Sequence, residues 1–351
     1  MNIQIITKTF EYSNKNSIIF PFLAFQKKLY ESNIYFKILL DINQVNYSDI
    51  IIVDSKYHRN YWKSNENIIY EDFVKLKNYT NKLIYFDTTD STGMIQSEIF
   101  NYVDSYWKFQ ILKDRSQYKK IFYGGRIFSN YYHKKFKVND QNVLMSKSIN
   151  DNDLSKIKLA WNFGLADYSY KNKYLFFLRK KLLLDKLFFF SKKNNNIKNN
   201  FMFAAFNYQY SRETISFQRK KIKDLMKDIY LEKIQELDYN FKLSRSKCVI
   251  SPFGWGELAY RDFEGFYNKC ILIKPNIDHL LTWPNFFVKD ETYLDFAWDF
   301  SNLLDVVQSI KLNQKKYEDI ALNGFNIYHN YTTGKNAGEY FLNHLNNLLD
   351  D

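Results

Sequence analysis

Two glutamates and one arginine follow a glycine-rich turn in the stretch SPFGWGELAYRDFEGFYNKCILIKP, residues 251–275. Glu257 and Glu264 are seven positions apart, and Arg261 lies four positions after Glu257. In a helix, a rotation of about 100° per residue would place all three near one face. A guanidinium there could orient a carboxylate or bind a phosphate. The alternative is an exposed ion pair on a surface helix, which would leave the glycines unexplained.

Apolar, strand-like runs flank this motif on both sides, KCVISPF before it and CILIKP after it. Gly254 and Gly256 would let the backbone approach a ligand closely. A helix that begins after them would direct its free amides and positive dipole end at an anion, such as a diphosphate. Lys274 and Arg212 are further cations that could bind this anion, although Arg212 could equally be a solvated residue at a helix start.

Strand-end carboxylates in the first half of the chain are candidates for a general base. Asp87 and Asp90 lie in FDTTDS, directly after a predicted strand. Ligands bind beyond the carboxyl ends of parallel strands, so either aspartate could accept a proton from a hydroxyl group. Capping of the following helix is the structural alternative. His133 and His279 are further candidates, but a lone histidine is more often structural.

The order of elements predicts an α/β fold with parallel sheets. Short apolar runs such as IQIIT, SDIIIVDS and NKLIYF alternate with amphipathic, helix-like stretches, and the pattern restarts at FMFAAFN. The predicted parts are an N-terminal domain at 1–165, a basic aromatic linker at 166–200, a C-terminal domain at 201–330, and a C-terminal helix at 331–351 that could pack back on the N-terminal domain.

Two further segments have helical periodicity. Residues 98–120 predict an amphipathic helix. Residues 168–200 combine Lys and Arg with Phe and Leu. The latter predict either a helix packed between the domains, which we favour, or a helix that contacts an anionic membrane surface. The turn GGRIF, with Gly124, Gly125 and Arg126, could contact an acceptor.

Composition excludes several classes of protein. The chain has 351 residues, enough for two domains, and a hydrophobic content of 46% that is too high for a disordered chain. Two cysteines in apolar runs exclude a disulfide framework and a zinc site.

A formal charge of +12 favours phosphate-bearing partners. Without a signal-like segment or an apolar run of about 18 residues, we expect a cytoplasmic protein, either free or peripheral on the inner face of the membrane.

No metal or cofactor is expected. The only Asp-x-Asp pattern of interest, DND at 151–153, follows a polar loop and not an apolar strand. A metal-binding Asp-x-Asp of a transferase would follow a strand, whereas this one predicts a helix cap.

Residues 238–290 resemble the donor-binding segment of GT-B glycosyltransferases, in particular exostosin-type and fucosyltransferase-like members. The resemblance rests on Arg261 and Glu264, followed by KCILIKP where those families have glycine, cysteine, an apolar residue and proline. It implies two Rossmann-like domains that face each other across a cleft. Retaining GT-B enzymes space two glutamates by eight positions; the spacing of seven here favours an inverting enzyme.

The resemblance implies roles for the site residues. Glu264 would accept hydrogen bonds from the ribose of a nucleotide sugar, with Gly254, Gly256 and Glu257 at the donor. Arg212, Arg261 and Lys274 would stabilise the departing nucleoside diphosphate, and Asp87 or Asp90 would be the base. Together these roles imply the transfer of a sugar from the nucleotide donor to a hydroxyl of a glycan or glycolipid acceptor.

The expected product is a surface polysaccharide such as lipopolysaccharide or capsule. Two alternatives stay open at this point. Basic charge with interleaved Tyr and Phe could bind single-stranded nucleic acid, although no known nucleic-acid module is present and this partner is disfavoured. The chain could also be a GT-B scaffold without catalytic activity, since a fold does not establish a reaction.

Overall fold

The computed structural model describes residues 1–8, 17–165, 197–230 and 236–350. The basic aromatic segment predicted at 166–200 lies, up to residue 196, outside the described residues. No helix among the described residues is both long enough and apolar enough to cross a membrane.

The first half of the chain forms a six-stranded parallel sheet in the order β2-β1-β3-β4-β5-β7. The central strands are uninterrupted apolar runs because helices and loops cover both faces of the sheet. Ile51, Ile52 and Val53 of β3 are all fully buried. The strands are β1 Asn2–Ile6, β2 Tyr35–Leu39, β3 Ser48–Asp54, β4 Thr80–Asp87, β5 Ser105–Lys108, β6 Gln110–Leu112 and β7 Ile157–Leu159.

Six helices accompany this sheet in the described residues. They are α1 Phe20–Ala24, α2 Gln26–Glu31, α3 Tyr61–Ser64, α4 Glu66–Lys77, α5 Ile127–Phe136 and α6 Asp151–Leu154. In α4, the buried residues Ile69, Phe73 and Leu76 recur every three or four positions. That spacing gives the helix one apolar face toward the core.

The second half forms a four-stranded parallel sheet in the order β12-β10-β9-β8. Its strands are β8 Asn200–Phe203, β9 Ser246–Ile250, β10 Ile271–Pro275 and β12 Tyr293–Phe296. Its helices are α7 Glu213–Leu225, α8 Glu236–Ser244, α9 Tyr260–Tyr267, α10 Leu303–Leu312, α11 Gln314–Thr332 and α12 Ala337–Asp350. A β-α-β order repeats in both halves, as the alternation of apolar runs predicts.

The two halves are in contact. Strand β6 of the first half pairs antiparallel with β11, Leu280–Thr282, of the second. Helix α12 packs on the first half through Phe341, whose ring lies 5.7 Å from that of Phe22. Lys28 forms an ion pair with Glu339 of the same helix. The exact domain boundaries stay predictions.

The helix predicted at 98–120 is wrong. This segment contains the short helical turn Ser97–Tyr102, strands β5 and β6, and a second turn at Arg115–Lys119. Tyr106 and Trp107 of β5 are both fully buried, because β4 and β7 flank the strand and side chains cover both faces. Consecutive buried aromatic residues are typical of a central strand, and no local helical period can override that pairing.

Candidate functional site

The loops that follow β4, β8 and β9 meet where the two halves touch. The most direct contact is between Gly256 and Asp90. A Cβ atom built on Gly256 would lie 2.0 Å from the Asp90 carbonyl oxygen, so only glycine fits. The carboxyl ends of parallel strands from both halves are thus brought to one place, which is where ligands bind in sheets of this type.

The predicted common helical face of Glu257, Arg261 and Glu264 is wrong, because α9 begins at Tyr260. Glu257 precedes the helix, in a loop whose last residue, Ala259, is extended. The Asp262 carboxylate accepts a hydrogen bond from the Ala259 amide at 3.0 Å and closes the helix start. The glycines therefore do not open directly onto free amides of the helix.

Each glycine of the motif instead marks a close approach within the protein. A Cβ on Gly254 would lie 3.1 Å from the Arg219 guanidinium, and one on Gly265 would lie 2.8 Å from the Val249 side chain. Gly265 thus lets α9 pack tightly on β9. The spacing of the glycines reflects contacts with Asp90, Arg219 and Val249.

Replacement of Gly256 by alanine should destabilise the protein more than the same change at Gly254. The Gly256 methyl would meet the Asp90 backbone, which can shift only with its loop, whereas the Gly254 methyl would meet the end of the Arg219 side chain. We expect a loss of about 1–3 kcal/mol in the free energy of unfolding for Gly256→Ala, typical of overpacking. Denaturant unfolding of both variants measures this, and equal losses would contradict it.

Arg219 braces the glycine loop and was missed in the sequence. Its Nε donates to the Phe253 carbonyl at 2.6 Å, and its Nη1 donates to the Asn207 carbonyl at 2.7 Å. Burial lowers the pKa of Arg219 to about 10, although the group stays charged near neutral pH. A signal did exist: Arg219 falls in the buried stripe of α7, four positions after Ile215 and three before Ile222.

Asp87 and Asp90 occupy different environments. Asp87 is fully buried and accepts hydrogen bonds from Lys108 at 2.5 Å and from the Tyr106 hydroxyl at 2.7 Å. Asp90 is partly buried at the contact with Gly256. Burial raises the pKa of Asp90, partly offset by the charges of Lys56 and Arg126. Asp90, with its raised pKa and its position at the junction of the halves, is therefore better suited to act as a general base than Asp87, which forms an internal ion pair.

Glu257 is fully buried and points at the first half. Its Oε2 accepts hydrogen bonds from the Thr92 hydroxyl at 2.9 Å and from the Thr92 amide at 3.2 Å. Its Oε1 lies 3.8 Å from His279 Nε2, and neither atom has a hydrogen-bond partner among the described residues. Burial alone would raise the pKa of Glu257, but His279 and Thr92 outweigh it and hold the pKa below the ordinary value. Glu257 is therefore an anion at neutral pH.

Glu264 and Arg261 lie on α9 next to Tyr239 of α8. The Tyr239 hydroxyl donates to Glu264 Oε2 at 2.7 Å, and the other carboxylate oxygen accepts no hydrogen bond from a described residue. Burial raises the pKa of Glu264, and Tyr239 and Arg261 counteract part of that effect. Arg261 Nε is buried without a hydrogen-bond partner among the described residues. Glu264 thus keeps one oxygen available for a ligand.

Lys274 is an internal counterion in this arrangement. Its ammonium group is buried, 2.6 Å from Asp262 Oδ2 and 2.9 Å from the Glu257 carbonyl oxygen. Burial lowers the pKa of Lys274, partly offset by Asp262. These two contacts let the Lys274 ammonium group hold the loop before α9 in place. A contact between Lys274 and a donor stays a prediction.

The predicted GGR turn is present, with φ of +70° at Gly124 and +67° at Gly125, where glycine is favoured. The Gly124 carbonyl accepts from both Arg126 and Arg212. His133 is engaged locally, since its Nδ1 lies 3.0 Å from the Val138 carbonyl and its ring stacks on Tyr123. The structure therefore brings Arg126 and Arg212 together and places His133 in a structural role.

The DND sequence forms the short helix α6, whose start is capped by Asn150. The Asn150 side chain accepts from the Asp153 amide at 2.8 Å. Within the described residues, no group of three or more His, Cys, Asp and Glu side chains could hold a metal ion.

Comparison with known proteins supports the fold. No family model and no curated protein matches the sequence. Among solved structures, Anabaena HepE in complex with UDP is similar over 100% of both chains, at 8% identity and a TM-score of 0.50. A glycosyltransferase from Rickettsia africae is similar over 100% of this chain and 99% of its own, at 11% identity and a TM-score of 0.46. At 8% identity, the likeness to HepE establishes the fold alone. The predicted fold class is confirmed: the chain has the α/β architecture of GT-B glycosyltransferases.

Proposed function

We propose that the protein is a glycosyltransferase that moves a sugar from a nucleoside diphosphate sugar to a hydroxyl of a glycan or glycolipid acceptor. The fold shared with HepE supports this, because that protein was solved with UDP bound. A UDP-sugar is therefore the first donor to test. The closer likeness to exostosin-type and fucosyltransferase-like enzymes is part of the same proposal.

The observation that carries the proposal is the group formed by Glu264, Arg261 and Tyr239. A carboxylate with one oxygen fixed by a tyrosine and the other available can accept hydrogen bonds from a ribose diol. Arg261 and Glu264 lie on α9, the helix that follows the carboxyl end of the parallel strand β9 and joins it to β10, and Tyr239 lies on the preceding helix α8. A nucleoside binds at that position in many sheets of this class.

We propose an inverting reaction with Asp90 as the general base. The acceptor oxygen would attack the anomeric carbon of the sugar while Asp90 takes its proton. The bond between that carbon and the phosphate oxygen would break, and the nucleoside diphosphate would leave with the bonding electrons. Arg212 and Arg261 would stabilise the charge that develops on the leaving group, which is why we propose a metal-independent reaction.

The proposed product is a surface polysaccharide such as lipopolysaccharide or capsule, made at the inner face of the membrane. This part rests on the resemblance of residues 238–290 and on the formal charge of +12, which favours an anionic partner or surface.

The release of nucleoside diphosphate from a nucleotide sugar tests the proposed activity. Purified protein is incubated with UDP-, GDP-, ADP- and dTDP-sugars, each with and without EDTA. Water replaces a missing acceptor slowly in such a reaction, so we expect release from one class of donor, undiminished by EDTA. No release and no binding of any donor, together with salt-dependent binding of short oligonucleotides, would contradict the proposal.

A further inference from the structure

Two arginines from opposite halves of the chain converge on one carbonyl oxygen. Arg126 Nη1 donates to the Gly124 carbonyl at 2.7 Å, and Arg212 Nη1 donates to the same oxygen at 3.1 Å. Two guanidinium nitrogens bonded to one oxygen are close enough for a single oxyanion to bridge both groups. Two like charges at this distance repel each other, so the arrangement calls for a negative charge.

No described carboxylate forms an ion pair with either arginine. Arg126 has 8% of its surface exposed, and its Nε donates to the Trp255 carbonyl at 2.6 Å. Burial, and then the charge of Arg212, lowers the pKa of Arg126 to about 10. Glu257, Asp90 and Asp140 offset only part of this effect. A buried charge is normally paired directly with an opposite charge, and Arg126 has no such direct partner among the described carboxylates.

The start of helix α7 is not available to bind an external anion. Asp140 already accepts hydrogen bonds from the Thr214 amide at 2.8 Å and from the Thr214 hydroxyl at 3.1 Å. The protein's own carboxylate thus occupies this helix terminus. The guanidinium groups of Arg126 and Arg212 are the remaining groups that could bind an external anion.

Trp255 provides a flat surface at the same place. Its side chain is 40% exposed, and its ring centroid lies 5.7 Å from the Arg126 guanidinium and 5.9 Å from that of Arg212. An exposed tryptophan beside two cations is suited to a ligand that has an apolar ring face and an anionic group.

We propose that Arg126 and Arg212 together hold one oxyanion between the two halves of the protein, beside Trp255. This inference rests on the proposed function. The oxyanion could come from either of two substrates. It could belong to the diphosphate of the nucleotide donor, or it could be a phosphate or carboxylate group of an acidic acceptor sugar. Because Arg126 belongs to the first half and Arg212 to the second, the bound anion ties the halves together.

Calorimetric titration of inorganic pyrophosphate into the full-length protein tests the site. We compare wild type with Arg126→Gln, Arg212→Gln and Lys221→Gln, where Lys221 is an exposed cation on the same helix as Thr214. Each arginine variant should lose about 10- to 100-fold in affinity, as expected for charge-assisted hydrogen bonds, while Lys221→Gln stays within about twofold. Arg212 is only partly buried, so that variant tests the site even if Arg126→Gln folds poorly.

Titration of UDP distinguishes the two sources. If the oxyanion is the donor diphosphate, UDP affinity falls in both arginine variants and uridine affinity does not. If it belongs to the acceptor, pyrophosphate binding falls in both variants while UDP binding by Arg126→Gln is unchanged. Unchanged pyrophosphate affinity in both variants, or none in wild type, overturns the inference. Failure of the proposed function would differ, since wild type would then bind no nucleotide sugar.

Discussion

Replacement of Asp90 by asparagine should reduce kcat by about 100- to 10,000-fold, the usual contribution of a general base, while donor affinity stays within a few fold. Asparagine keeps the size of the side chain but cannot accept the acceptor's proton. The contact with Gly256 involves the Asp90 backbone and is preserved. Steady-state kinetics with a saturating donor would measure the change in kcat.

Asp87→Asn is the matched control, because the same substitution three positions away should affect stability. It would leave the buried Lys108 ammonium without its carboxylate. Removal of one partner of a buried ion pair typically costs about 3–5 kcal/mol. Denaturant unfolding should therefore show a large loss for Asp87→Asn and a small one for Asp90→Asn. A larger loss of kcat in Asp87→Asn than in Asp90→Asn, without a large loss of stability in Asp87→Asn, would assign the base to Asp87.

The pH dependence of the reaction follows from the same assignment. Burial raises the pKa of Asp90 above the ordinary aspartate value. A general base acts in its deprotonated form, so kcat should fall as pH drops through this raised pKa. The acidic limb of the kcat profile should therefore lie at higher pH than for an ordinary aspartate, and it should be absent from the residual activity of Asp90→Asn. A limb in the ordinary range would contradict the assignment.

Replacement of Glu264 by alanine should weaken the binding of UDP by about 10- to 100-fold, the effect of losing hydrogen bonds to a charged group. The carboxylate oxygen that Tyr239 leaves available is the proposed acceptor for the ribose diol. Asp238→Ala is a suitable control because Asp238 is an exposed carboxylate adjacent to Tyr239. Its UDP affinity should match that of wild type.

A 2′-deoxy nucleotide separates a direct role of Glu264 from general damage to the site. Wild type should prefer UDP to its 2′-deoxy analogue, because one hydroxyl that the carboxylate binds is missing. Glu264→Ala should bind the two nearly equally. A variant that keeps the preference of wild type would show that Glu264 does not contact the ribose.

Much of the architecture could be predicted because it is encoded locally. Apolar runs bounded by polar turns locate β3, β9 and β10, and the restart at FMFAAFN locates the second sheet. The prediction of a helix at 98–120 was wrong because β5 is formed by pairing with β4 and β7, which are distant in sequence. A strand of four residues is too short to show a clear period in the sequence.

The site was predicted in its parts but not in its connections. Glu264 and Arg261 do lie on one helix, whereas the extended Ala259 and the Asp262 cap exclude Glu257 from it. The contacts of Arg126 with Trp255 and of Glu257 with Thr92 join residues more than a hundred positions apart. Such contacts depend on the packing of the two sheets and leave no local pattern in a single sequence.

Calorimetric titration of UDP into wild type and Glu264→Ala, both in EDTA, tests the central claim most directly. The account predicts that wild type binds UDP without a metal and that Glu264→Ala loses most of this affinity while still unfolding in one cooperative thermal transition in the absence of nucleotide. Equal UDP affinity in the two proteins would contradict the account, and so would a wild-type protein that binds no nucleoside diphosphate.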